Sequence, residues 1–432
     1  MIDTSTSSGR AIVAHDRYPA LDELQDTARA LAARHPRLCR VRTVGASRAG
    51  QPLVLLSVGD AADNVLIVAG AHPDELVGGA TVMELAHRIL AEPAQCASTA
   101  WHFLLCADPD GARLVRGHCA RSLPEFFAHY FRPASAEQPE HAPSLGVQLP
   151  ESRILLGLID DLRPFVQFSL HGIDVGGTFV QATRDVPGLA EPFARSAAEL
   201  GIPIESGSYD TLRFPEPAPG VFVMPPPDLP PPGARTGEQR QTTWFAPHRY
   251  GGATVIVEAP MWACDRMTGP DDGRDPQRRL AAFAARLRRR GDLIARLLDD
   301  ALSRLPSDDD PFVRSVRTQL TFLRRLPEEW DPRAGGAGPA HAGRITEARL
   351  AGMEQWTHRL PTRAAAMLRR AVAPAGAPTA QLTARLDALL CDWTGLYQRS
   401  FPPVRVPVAR QAAHQASTVQ AAVALSRPGS AG

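Results

Sequence analysis

Apolar residues first recur at helical spacing: Leu21, Leu24, Ala28 and Leu31 share one face of the segment Tyr18 to Arg37, which predicts an amphipathic helix. The period then changes. Leu53 to Val58, Asn64 to Gly70, Trp101 to Ala107, Phe165 to Leu170 and Ala253 to Val257 are short apolar runs suited to strands buried on both faces. Helical patterns lie between several of them, at Ala80 to Ala91, Glu151 to Leu162 and Val186 to Leu200. This alternation predicts an α/β fold with a mixed, largely parallel central sheet and flanking helices. From about Asp275 the strand-like runs stop. Ala-, Leu- and Arg-rich helical segments continue to about Leu425, interrupted at Pro306, at Gly335 to Gly343 and at Ala373 to Pro378.

The chain has 432 residues, more than the roughly 250 to 300 that one hydrophobic core usually serves, so two domains are expected. Residues 1–270 form the α/β domain and residues 271–432 an all-helical domain whose role the sequence does not reveal. A Pro-rich stretch at about 206–247 includes Met224-Pro225-Pro226-Pro227 and Pro230-Pro231-Pro232-Gly233, which cannot supply sheet hydrogen bonds. It is expected to be a long surface excursion or a lid over a site. Arg286 to Arg290 reads as a solvated helix face.

Charge narrows the function classes. The 47 basic and 46 acidic residues nearly cancel, so neither nucleic acid nor an anionic membrane is an expected partner. Every basic residue is Arg, in keeping with a GC-rich bacterial genome. Six cysteines without paired spacing, and no charged-then-apolar leader, fit a reducing cytoplasm. No apolar run approaches the roughly 20 residues needed to span a bilayer.

Candidate chemistry gathers where strands end. The run Asn64 to Gly70 leads into Ala71-His72-Pro73-Asp74-Glu75, placing an imidazole and a carboxylate where α/β sheets build their sites. His-x-x-Glu supplies two ligands for a borderline ion such as zinc, and a catalytic site needs three, with one position left for water. His171, closing Phe165 to Leu170, is the third, and Gly172 after it permits a sharp departure and close approach. Glu258 is the acidic residue that ends Ala253 to Val257, and it is the candidate base.

These residues resemble the zinc carboxypeptidase family, typified by carboxypeptidase A, over roughly Tyr18 to Trp262. Val44-Gly45-Ala46-Ser47-Arg48, Gly70-Ala71-His72-Pro73-Asp74-Glu75, Asp108-Pro109-Asp110-Gly111, Leu170-His171-Gly172 and Val255-Ile256-Val257-Glu258 follow its motifs. The resemblance implies one Zn2+ per chain, held by His72, Glu75 and His171, and amide hydrolysis with Glu258 activating the water. It also implies an oxyanion-steadying arginine, for which Arg116 is the candidate beside Arg113 and Arg121. The family grips the substrate's terminal carboxylate with an Asn-Arg pair. Here Tyr130-Phe131-Arg132-Pro133 retains Arg132 without the asparagine. Tyr250, and after it Tyr209, are candidates for the family's mobile tyrosine, and Gln181, Thr183 and Arg184 for the specificity pocket.

The expected substrate is a peptide or peptide-like small molecule. Two other readings stay open: a deacylase of N-acyl amino acids, similar to aspartoacylase and succinylglutamate desuccinylase, and a non-catalytic peptide-binding module. Glu258 separates the last from the enzymes, because a pure binding site needs no base.

Overall fold

In the computed structural model the described residues are 17–225, 242–268, 275–334 and 345–427. The strands are β1 (Cys39–Ala46), β2 (Pro52–Val58), β3 (Asn64–Val68), β4 (Ala100–Leu104), β5 (Val166–Gly176), β6 (Phe179–Ala182), β7 (Val221–Val223), β8 (Ala253–Ala263) and β9 (Val404–Arg405). The helices of the first half are α1 (Leu21–Arg34), α2 (Val77–Ala91), α3 (Pro93–Ser98), α4 (Pro109–Leu114), α5 (Leu123–Ala128), α6 (Pro150–Leu162) and α7 (Ala190–Leu200). Five more follow: α8 (Pro276–Leu302), α9 (Pro311–Trp330), α10 (Glu347–Val372), α11 (Ala380–Ser400) and α12 (Val408–Ser426).

The sheet runs β1-β2-β4-β3-β5-β8-β6-β7, with β9 pairing β8. It is mixed: β4, β3, β5 and β8 are mutually parallel, while β1, β2 and β6 join antiparallel. Its central strands are apolar on both sides because both faces are covered. α1, α2, α7 and α12 pack on one face around Val65, Ile67, Phe168 and Val257. On the other, Leu155, Leu158 and Ile159 of α6 meet Leu55, Leu66 and Val68. The predicted face of α1 is the one buried, with Leu24, Ala28 and Leu31 inward.

Two strands differ from the sequence reading in a way that matters for the site. β5 and β8 do not stop at His171 and Glu258 but continue to Gly176 and Ala263. Both residues therefore lie inside long strands. Their neighbour β3 ends at Val68, level with Ser169, so the two side chains still stand at the carboxyl edge of the central sheet. The continuation is stable because new cover exists for it: Val175, Met261 and Trp262 pack into a core shared with α8, α9, α10 and α11. Gly172 accordingly marks no departure. A Cβ there would lie 3.1 Å from the Ala259 carbonyl and from Val77, so its use is close strand and helix approach.

The Pro-rich stretch also holds more order than its composition suggests. Within it, β7 pairs parallel to β6, and Thr243–Tyr250 forms a 3-10 helix against the sheet. Pro226 to Gly233 and the interruption at Gly335 to Gly343 lie outside the described residues. Helices occur where the second half predicts them, but α12 packs on α2, α7, β5 and β8. Arg88 of α2 donates to Ser417 and Gln420 on α12, at 3.1 and 3.3 Å. Among the described residues no helix is long and apolar enough to cross a membrane.

One buried acid makes a stability test. The N–H of Gly177 donates to Glu205 at 2.9 Å. Burial pushes the Glu205 carboxyl from 4.5 up to about 7, against the pull of that N–H and of Arg359. The fold thus favours the protonated form. Stability is complete below the unfolded-state value and is lost as pH rises toward the folded-state one. Glu205→Gln keeps the shape and cannot ionise. In urea unfolding it should lie within about 1 kcal/mol of wild type at pH 5 and be more stable by roughly 3 kcal/mol at pH 8. Parallel pH profiles for the two proteins would contradict this account.

Candidate metal centre

The loop after β3 begins at Gly70, whose φ of 61° is left-handed and where a Cβ would come within 2.8 Å of the Cys106 sulfur. That glycine lets the chain turn under β4 and carry His72 and Glu75 to the mouth of the sheet before α2 starts. Two further turns support the loop. Ser47 donates to Asp110 at 2.6 Å, and Arg48 pairs with Asp108 at 3.2 Å, so Gly45-Ala46-Ser47-Arg48 and Asp108-Pro109-Asp110-Gly111 meet in space. Asp108 also caps α4, accepting from the Gly111 N–H at 3.0 Å.

One ligand atom each from His72, Glu75 and His171 falls within 4.8 Å of the others. Glu75 Oε2 is 3.1 Å from His72 Nδ1 and 2.6 Å from His171 Nδ1. The two imidazoles meet edge to face with centroids 4.7 Å apart. Burial opposes the charge of Glu75, but His72, Arg132 and His171 hold its carboxyl well below the ordinary range. The set fits a zinc-type ion. Two imidazoles and a carboxylate are the donors such an ion takes, and Arg132 Nη2 also lies 2.9 Å from His72 Nδ1.

Glu258 stands beside His171. The two are partners in the parallel register of β5 and β8, so their side chains leave the same face. Burial, then the negative charge of Glu75, pushes the Glu258 carboxyl up to about 8. Its Oε2 is buried without a hydrogen-bond partner among the described residues.

The arginine and tyrosine candidates divide. Arg132 enters the site, its Nη1 2.6 Å from Glu75 Oε1 and 3.2 Å from Asp74. Arg116 is exposed, beyond the end of α4 and near His129 and Arg370. Arg113 is engaged elsewhere, by Gln51 and Asp22. Tyr250 donates to Asp160 of α6 at 2.9 Å and its ring lies between Arg163 and Arg249, so the structure does not bring it to the ligands. Tyr209 packs on Trp330 and Trp356 of α9 and α10.

Other residues also join the site. Gln415 of α12 donates to the carbonyls of His171 and Val257, at 2.6 and 2.8 Å, and accepts from Thr81 of α2. One side chain thus ties the backbone of a ligand strand to that of the strand carrying Glu258. Glu140 and Ser169 lie behind His171, and Trp244 packs edge-on against its ring.

Fold and site together define a mixed α/β protein with a buried His/Glu/His centre able to hold a metal. Residues 24–122 match the zinc carboxypeptidase family, bearing out the resemblance carried by the motifs. No curated protein matches the chain. Among solved structures, the chain is similar to a metallo-carboxypeptidase from Burkholderia cenocepacia, at 16% identity and a TM-score of 0.34, over 55% of this chain and 60% of that one. It is also similar to the carboxypeptidase A of Helicoverpa armigera, at 15% identity and a TM-score of 0.38, over 57% of this chain and 65% of that one.

Proposed function

We propose that the protein is a zinc-dependent hydrolase of amide bonds, acting as a carboxypeptidase on a peptide or peptide-like small molecule. The observation that carries this reading is the juxtaposition of Glu258 with the three convergent ligand atoms of His72, Glu75 and His171. His72, Glu75 and His171 would hold the zinc, which when bound would supply Lewis acidity toward a carbonyl and a water. Glu258 takes a proton from the attacking water and returns it to the leaving amine. A carboxyl placed beside the ligand set can serve both transfers. Arg132 carries positive charge at the mouth of the site for a substrate carboxylate or a developing oxyanion. Free cysteines throughout accord with a cytoplasmic setting.

Metal content by elemental analysis tests the reading first. Wild type should hold one zinc per chain, and His72→Ala and His171→Ala little. A carefully prepared wild type that takes up no zinc would sink the hydrolase reading. Turnover of free peptides against N-acyl amino acids then separates carboxypeptidase from deacylase. Zinc without turnover of either points to a binding module.

A further inference from the structure

His171 uses one ring nitrogen toward Glu75, and the other is as tightly held. Its Nε2 is 3.1 Å from Glu140 Oε2 and 2.7 Å from Ser169 Oγ, and Ser169 donates to Glu140 Oε1 at 2.7 Å. Ser169 and His171 are two apart on β5 and share a face, so the strand itself aligns them. Glu140 comes from an irregular segment fixed by its backbone. Ser152 donates to the Pro139 carbonyl at 2.6 Å, and the Thr243 N–H to that of Glu140 at 3.3 Å.

Glu140 is 1% exposed, and among the described residues its ion-pair partner is His171. A carboxylate buried that deeply is costly unless positive charge faces it, and a neutral imidazole offers only a donor.

Resting on the zinc reading above, we propose that Glu140, assisted by Ser169, is the positioning carboxylate of the metal centre. It accepts from His171 Nε2–H, which fixes the tautomer and the ring plane, leaves Nδ1 free to ligate, and strengthens it as a donor. Glu140 touches neither substrate nor metal. Its signature is therefore in metal binding rather than in a step of the reaction.

The test is the zinc dissociation constant of metal-depleted full-length protein, measured by competition with a chromophoric chelator. Glu140→Gln and Ser169→Ala are compared with wild type, with the visible spectrum of each protein loaded with cobalt(II) as a second readout. Glu140→Gln should bind zinc roughly 10 to 100-fold more weakly and shift the cobalt bands. Ser169→Ala should show a smaller loss in the same direction. Wild-type affinity and an unshifted cobalt spectrum in Glu140→Gln, while wild type binds zinc, would overturn the role of Glu140 alone. A wild type that binds no zinc removes this inference together with the reading it rests on. If Glu140→Gln does not fold, Ser169→Ala decides, and affinity within twofold of wild type overturns the proposal.

Discussion

Glu258→Gln is expected to retain the zinc of wild type and to lose activity by roughly 10²- to 10⁴-fold in kcat, on whichever substrate wild type turns over. The two halves of that expectation come from different observations. Retention of metal follows because Glu258 is not one of the three converging ligand residues. Loss of turnover follows because an amide in its place can neither take a proton from water nor give one to a leaving amine. An effect confined to KM would mean that Glu258 only positions substrate, and unchanged kcat would remove it as the base. The control is His171→Ala, which should lose metal and activity together. Separating the two phenotypes in one pair of variants distinguishes a catalytic carboxylate from a fourth ligand.

The site was legible in the sequence where chemistry and strand pattern coincide. His72 and Glu75 follow an apolar run at a spacing that a single turn can close, and His171 and Glu258 each follow an apolar run of their own. What pattern alone could not give was where β5 and β8 stop. Their continuation past the site depends on cover from α10 and α11, which are distant in sequence and whose packing leaves no local signal. Arg116 follows Asp108-Pro109-Asp110-Gly111 closely, but proximity along the chain says little about where a long side chain points, and this one is exposed beyond the end of α4. Glu140 and Gln415 were invisible for another reason. A buried polar residue in an irregular segment or on a helix reads as ordinary surface until its partner is known. Ser169 was the clue available, since Ser-x-His on a strand puts both side chains on one face.

The largest stability effect is expected at Asp174, three residues beyond His171 on β5. Its side chain is wholly buried, with Oδ1 2.6 Å from Arg359 Nη2 and Oδ2 3.6 Å from Arg363, both on α10. Tyr397 of α11 donates to it at 3.3 Å, and Arg359 Nη2 and the Gln355 amide donate to the adjacent Val175 carbonyl at 3.1 and 2.6 Å. This cluster is the polar centre of the contact between the extended sheet and the later helices. Asp174→Ala leaves two guanidinium groups in the interior without their shared carboxylate. The expected cost is on the order of 3 to 5 kcal/mol, the price of an uncompensated buried charge rather than the worth of the pair. Burial opposes ionisation of Asp174, but Arg359 and Arg363 hold its carboxyl below 3.8. Its stabilisation is therefore present above the unfolded-state value and lost as pH falls through the folded-state one. Urea unfolding of wild type and Asp174→Ala should differ most at pH 7 and converge toward pH 3. If the cluster couples α10 to the sheet, the variant should also expose the later helices first, giving an early loss of helical circular dichroism where wild type shows one transition. A difference below about 1 kcal/mol at pH 7 would mean that Arg359 and Arg363 find other acceptors or water. In that case the two regions are joined chiefly by apolar packing.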